Sequence, residues 1–275
     1  MKDRKQALIC IGDRPRDEKA LVFTQKIVQA YDLHPTFLHI LPHGSSLQEG
    51  EGLLQSARES ISLENAEIRC VEGLTRKEIA NELKRQDYHL VIVGTSARVP
   101  GSHPSPLSRH LANSVHTSVL LIRNPPEEIC NVLICTGGHP ESANAIEWGI
   151  HLAKKTNDQA TILHVVSSPP AMYNGLEEID EDLSEVLARD VPLSHHLKYA
   201  ARLAKEAGVQ AKLELRHGLV IEEILRSTEV DSYDLVVLGA PKPRSISNQI
   251  LLGRIAPKLL ASTLRSTLIV RRKLA

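Results

Sequence analysis

The chain states one pattern twice, and a duplication of this length constrains the fold more tightly than composition can. Leu8-Ile9-Cys10 returns as Leu133-Ile134-Cys135, and Phe37-Leu38-His39-Ile40 returns as Ile162-Leu163-His164-Val165, both at an offset of 125 (133 − 8, 164 − 39). Further on, Glu72-Gly73-Leu74 matches His217-Gly218-Leu219, and His89-Leu90-Val91-Ile92-Val93-Gly94 matches Asp234-Leu235-Val236-Val237-Leu238-Gly239. These run at an offset of 145 (218 − 73, 239 − 94). The second copy therefore holds about twenty extra residues between its second strand and its mid-copy glycine. A repeat of roughly 130 residues is a domain, not a solenoid unit. Two domains are expected, over residues 1–125 and 129–275, with the insertion near 167–198.

Within each copy, apolar runs alternate with helical spacing. The first copy predicts strands at Ala7–Ile11, Thr36–Leu41, Glu67–Val71, His89–Val93 and Ser118–Ile122, and helices at Asp17–Tyr31, Ser46–Ile61 and Arg76–Arg85. One more helix precedes the last strand. Thr75 ahead of Glu78 has the spacing of an N-terminal capping box. The second copy predicts strands at Val132–Cys135, Ala160–Val166, Gln210–Leu215, Leu235–Leu238 and Thr267–Val270. Its helices fall at Ser142–Lys155, in a long charged region to Ala207, at Ile221–Ser227 and before the final strand. Continuous Leu/Ile/Val strands alternating with helices indicate a parallel sheet covered on both faces. The fold class is α/β: two tandem doubly wound domains, each a five-stranded parallel sheet. The linker Asn124-Pro125-Pro126-Glu127-Glu128 is short and its two prolines stiffen it, so the domains should pack on each other. Pro169-Pro170, the acidic run Glu177–Asp182 and Pro192 suggest that the insertion is a surface loop and a broken helix.

Charge and residue usage narrow the function. Thirty-three basic residues balance thirty-three acidic ones, so no overall field favours nucleic acid or an anionic membrane. Aromatic residues are 3% of the chain, which leaves little to stack on single-stranded bases. No apolar run reaches the roughly 18–20 residues that span a bilayer, and the charged N-terminus lacks the apolar core of a secretory signal. Cys10, Cys70, Cys130 and Cys135 form no CxxC pair, and Cys10 and Cys135 lie in apolar strands. A reducing, cytoplasmic location is the expectation. No HExxH frame occurs among the histidines, and no metal site is expected. His39 and His164 recur at one strand position, which suggests a structural or backbone-capping role.

In open parallel sheets, ligands bind beyond the carboxyl ends of the strands, where the strand order reverses. The segments that reach that point follow the first and fourth strands of each copy. After the first strand stand Gly12-Asp13-Arg14 and Thr136-Gly137-Gly138-His139-Pro140-Glu141-Ser142. Glycines there let a ligand approach the backbone, and the next helix N-terminus favours an anion; a plain strand-to-helix turn likes glycine equally. After the fourth strand, the second copy reads Gly239-Ala240-Pro241-Lys242-Pro243-Arg244 and later Leu252-Gly253-Arg254-Ile255.

This arrangement resembles the universal stress protein family, whose nucleotide-binding members carry a Gly-x2-Gly-x9-Gly-Ser/Thr signature at this place. The resemblance covers essentially the whole chain, twice. It implies a triphosphate wrapped by the glycines and the hydroxyl, with an acidic residue after the first strand holding the adenosine end. In the second copy Gly239 fits the first glycine, Lys242 replaces the second, Gly253 falls one residue late, and Arg254 stands at the hydroxyl. In the first copy Gly94 fits, Ala97 replaces the second glycine, the last maps to Ser105 or Leu107, and Ser108 stands in for the hydroxyl. Where the acidic residue is expected, the chain has Gly12, with Asp13 beside it, and Thr136. A β-carbon in a phosphate loop obstructs amides that must face the anion, while Lys242, Arg244 and Arg254 offer compensating charge.

The nucleotide set implied for the second copy is Thr136, Gly137, Gly138, Val165, Gly239, Lys242, Arg244, Gly253 and Arg254; for the first it is Gly12, Asp13, Gly94 and Ser108. ATP is the implied ligand. The resemblance further implies a non-enzymatic stress-response protein, an internal pseudo-dimer joined through Ser118–Ile122 and Thr267–Val270, and homodimerisation as a further arrangement. Alternatives are an ATP-binding switch with slow hydrolysis, or an adenylating enzyme, because Thr136–Ser142 is similar to the SGGxDS loop of ATP-splitting ligases. No Gly-x-Ser-x-Gly elbow or paired-carboxylate signature marks a catalytic residue.

Overall fold

The computed structural model describes residues 5–12, 18–63, 65–94, 106–138, 142–167, 182–230, 232–240 and 255–274. In chain order the elements are β1 (Gln6–Ile11), α1 (Glu18–Ala30), β2 (His34–Leu41), α2 (Leu47–Ser60), β3 (Glu67–Glu72), α3 (Thr75–Arg85), β4 (Tyr88–Gly94), α4 (Pro106–Ser114) and β5 (Ser118–Ile122). The second half follows with β6 (Asn131–Thr136), α5 (Ala143–Thr156), β7 (Gln159–Ser167), α6 (Leu183–Ala188), α7 (Pro192–Ala207), β8 (Ala211–Gly218), α8 (Val220–Val230), β9 (Leu235–Gly239), α9 (Ile255–Ser262) and β10 (Ser266–Val270).

All ten strands join one sheet in the order β3-β2-β1-β4-β5-β10-β9-β6-β7-β8. Each half is doubly wound, and every pair within a half is parallel. Among the described residues the one antiparallel pair is the seam, where Thr267, Leu268 and Ile269 of β10 face Leu121, Leu120 and Val119 of β5. Reversal at the seam turns the second half upside down relative to the first. The carboxyl ends of β1 and β4 therefore point to one end of the sheet, and those of β6 and β9 to the other.

Period-two alternation sorts the strand side chains onto two apolar layers. Ile9, Phe37, Ile92, Leu120, Ile134 and Leu268 belong to the layer that includes buried residues of α1, α2, α5 and α7. Leu8, Leu38, Val91, Leu121, Leu133 and Ile269 belong to the other, with Ile79 of α3, Leu111 of α4, Ile224 of α8 and Leu259 of α9. Both layers run through both halves. This is the doubly covered parallel sheet that continuous Leu/Ile/Val strands demand.

The ends of α2 and α7 follow local chemistry, and the start of α3 departs from the expected capping box. Ser46 caps α2, its hydroxyl accepting from the Glu49 N–H at 3.4 Å. Pro192 opens α7 at a position where a missing N–H is harmless, and Gly208 closes it in the left-handed region at φ 72°. In α3, Leu74 holds the N-cap position and makes no side-chain cap, while Thr75 is already helical. Glu78 does not close a capping box because its side chain lies over Gly73. A β-carbon on Gly73, at φ +152°, would sit 2.8 Å from Glu78 Cγ.

The charged helical region, read as a loop and a broken helix, contains α6 and α7, separated at 189–191 before Pro192. The Ser194 hydroxyl donates to the Leu187 carbonyl at 3.1 Å, tying them together. β8 runs to Gly218, beyond the expected Leu215. It is an edge strand whose Lys212, Glu214 and Arg216 pair with one another (2.6 and 3.2 Å), so its end lacks an apolar signal. The linker is tied to α1, where Lys19 and Lys26 pair with Glu127 and Glu128 at 3.3 and 2.6 Å.

Candidate functional site

The strand order reverses between β1 and β4 in the first half and between β6 and β9 in the second, which fixes the two crevices. The same histidine supports both. His39 Nδ1–H donates to the Ile11 carbonyl and His164 Nδ1–H to the Thr136 carbonyl, each at 2.9 Å. Each imidazole thus pins the last residue of the first strand to the second strand, as the repeat suggests. The bond also places the ring proton on Nδ1.

Beyond these histidines the crevices differ. In the first half Gly12 and Gly94 are exposed, and a β-carbon on either would meet nothing within 4 Å among the described residues. Ser108 is fully buried on α4. Asp13 lies outside the described residues.

In the second half two glycines, Gly138 and Gly239, are closely packed. Gly138 adopts φ +73°, and a β-carbon there would stand 2.9 Å from Cε1 of His164. Gly239, at the end of β9, lies so close to α5 that a β-carbon would meet the Ser142 Cα at 3.2 Å. Gly137 follows Thr136 at the mouth, and Val165 is buried in β7, within the apolar layer of α8 and α9. Lys242, Arg244, Gly253 and Arg254 lie outside the described residues, as does the acidic run up to 181.

Three buried polar side chains meet beside Gly138. Thr136 Oγ1 lies 2.6 Å from Nε2 of His196 and 2.9 Å from the Ser142 hydroxyl, and it accepts from the Gly138 N–H at 3.3 Å. Ser142 Oγ is also 3.3 Å from His196 Nε2. Thr136 stands where the resemblance expects a carboxylate, and it offers a neutral hydroxyl instead.

His196 arrives from α7, 60 residues along the chain from Thr136. No spacing in the sequence signals it, because its place depends on how α7 packs on α5. The thiols are poor nucleophiles: burial pushes Cys10 up to about 12 and raises Cys135 as well.

A family model, "Universal stress protein family", matches residues 129–271, more than half of the chain. This chain belongs to the universal stress protein family. Universal stress protein MJ0531 of Methanocaldococcus jannaschii is 27% identical over 152 residues, covering 55% of this chain and 88% of that one. Universal stress protein YxiE of Bacillus subtilis is 30% identical over 150 residues, covering 51% of this chain and 97% of that one. A crystal structure of a universal stress protein from Archaeoglobus fulgidus superposes with a TM-score of 0.70, covering 96% of this chain and 98% of that one at 13% identity. Identity that low speaks for the fold alone. It extends the family's architecture over both halves, including the half that the family model does not match. Among the described residues no helix is long and apolar enough to cross a membrane.

Proposed function

We propose that this family member is a cytosolic, non-catalytic regulator of the stress response, and that its second domain takes one adenine nucleotide in the β6/β9 crevice. The domains are assigned to residues 1–125 and 129–275, on either side of the proline-containing linker. The observation that carries the reading is the asymmetry of the crevice glycines. Gly138 and Gly239 occupy positions that a β-carbon could not share without displacing His164 or Ser142, whereas among the described residues no atom stands within 4 Å of a β-carbon on Gly12 or Gly94. A loop that demands glycine beside a helix N-terminus is the arrangement that presents amides to a phosphate. Lys242, Arg244 and Arg254 would supply the charge that the missing glycine and hydroxyl of the signature leave out.

The test is to purify the full chain without added ligand, measure its nucleotide content, then titrate ATP calorimetrically. One ATP per chain is expected, with affinity reduced at least tenfold in Arg254→Ala. No binding at millimolar ATP would overturn the reading and turn the search to protein partners. Phosphate release during the titration would instead favour the switch with slow hydrolysis.

A further inference from the structure

We propose that His196 is the gate and specificity-determining residue of the second-half crevice: its imidazole occupies the hydrogen-bonding position on Thr136 that a ligand's nitrogen heterocycle would use. The inference rests on the nucleotide reading above and deepens it. A threonine hydroxyl has one proton to donate and two lone pairs to accept with. Thr136 Oγ1 already has three partners: the Gly138 N–H at 3.3 Å, the Ser142 hydroxyl at 2.9 Å and His196 Nε2 at 2.6 Å. Its capacity is full, so an incoming polar atom must displace one of them.

The Gly138 N–H is backbone two residues past Thr136, and Ser142 is the N-cap residue of α5, so both are anchored beside the end of β6. His196 stands on a separate helix and holds Thr136 through a rotatable side chain. The displaced group is a flat ring with nitrogen at its edge, so a heterocyclic base edge refills both its space and its hydrogen bond to Thr136. A phosphate or sugar oxygen would restore the hydrogen bond alone.

The first half lacks the device. Glu49 of α2 and His196 of α7 each lie twelve residues before the C-cap of their helices, Ile61 and Gly208. Glu49 is exposed where His196 is buried. At the position of Thr136 the first half has Ile11, the residue whose carbonyl His39 holds, and its apolar side chain offers such a residue nothing to bond. The gate is thus a property of the second copy, carried on α7, which begins within the inserted region.

A gate held shut lowers apparent affinity by the fraction of time it stands open. ATP and adenosine are titrated calorimetrically into the full-length wild type, His196→Ala and His196→Leu, with thermal unfolding recorded for each. His196→Ala is expected to bind both at least tenfold more tightly than wild type. His196→Leu, which refills the space with an apolar group, should show no gain. Inorganic triphosphate, lacking a heterocycle, should respond to neither change.

If wild type binds ATP and His196→Ala binds it no better, the gate is wrong and the nucleotide reading stands. If no variant binds, both fall. Side-chain nitrogen NMR of the unaltered protein provides a readout that does not depend on the variants' folding. The His196 Nε2 resonance should move as ATP saturates, and an unmoved resonance at saturation overturns the gate.

Discussion

Replacing Trp148 with alanine is expected to lower the unfolding free energy of the whole chain by about 4 kcal/mol, the range found for buried tryptophan truncations. Trp148 is the chain's one tryptophan, 1% exposed on α5 of the second half. Its ring lies 4.6 Å from that of Tyr31, which follows α1 of the first half. The contact thus crosses between halves on one face of the sheet. Three hydrogen bonds frame it: Tyr31 O–H to the Trp148 carbonyl, Trp148 Nε1–H to the Arg272 carbonyl, and His151 Nε2–H to the Ala30 carbonyl, each at 2.9 Å. Burial lowers the basicity of His151, so it meets that carbonyl as a neutral donor. Loss of the indole leaves a cavity in the layer that both halves share, so they should lose stability together. Urea unfolding followed by circular dichroism measures this, with Trp148→Phe expected to lose less than half as much. A loss under about 1 kcal/mol in Trp148→Ala would place the coupling of the halves in the β5–β10 ladder alone.

Replacing Arg271 with methionine should cost about 3 kcal/mol, on the scale of charge-assisted hydrogen bonds to buried acceptors. Arg271 is 5% exposed, and its guanidinium donates to the carbonyls of Ala112, near the end of α4, and Thr117. The arginine leaves the second half's last strand to satisfy carbonyls of the first half. Arg123 returns the contact from the first half, donating to the carbonyls of Leu260 and Thr263 at 2.5 and 2.8 Å as α9 ends. The backbone repeats the exchange: Arg271 N–H donates to the Ser118 hydroxyl and Arg123 N–H to the Ser266 hydroxyl, both at 3.1 Å.

A cation at a helix C-terminus also meets the negative end of the helix dipole. Burial works against the charge and lowers the basicity of Arg271, so its carbonyl partners must offset that desolvation. Methionine fills much of the volume but leaves those carbonyls unmatched. Denaturant unfolding of Arg271→Met, Arg123→Met and the double variant is the measurement. The two residues flank opposite ends of the β5–β10 ladder, so their losses should add to within about 0.5 kcal/mol. A double variant as stable as either single one would mean that the clasp does not hold the seam.

Much of this was legible in the amino-acid order because it is written in short periods. Ser118–Ile122 was bounded to the residue, since a fully buried strand is an unbroken apolar run. The recurrence of His39 and His164 announced a shared backbone contact, and each does hold the carbonyl that ends the first strand of its half. Thr75 misled because a capping box also needs its glutamate free, and Glu78 is committed to the space over Gly73. The glycines of the crevices looked alike in sequence. Only packing separates Gly239, where a β-carbon would press on Ser142, from Gly94, where it would meet nothing among the described residues.

By itself, then, the sequence determined two doubly wound α/β units, their strand runs and their crevice-forming turns, because strand and helix periods are local and the duplication repeats them. Tertiary structure decided which groups meet across the chain. It crossed Arg271 and Arg123 between the halves, set Trp148 on Tyr31, and brought His196 onto Thr136. Those partners are 60 to 159 residues apart. A contact of that kind leaves no period in the chain, because its energy comes from the packing of helices and strands already formed.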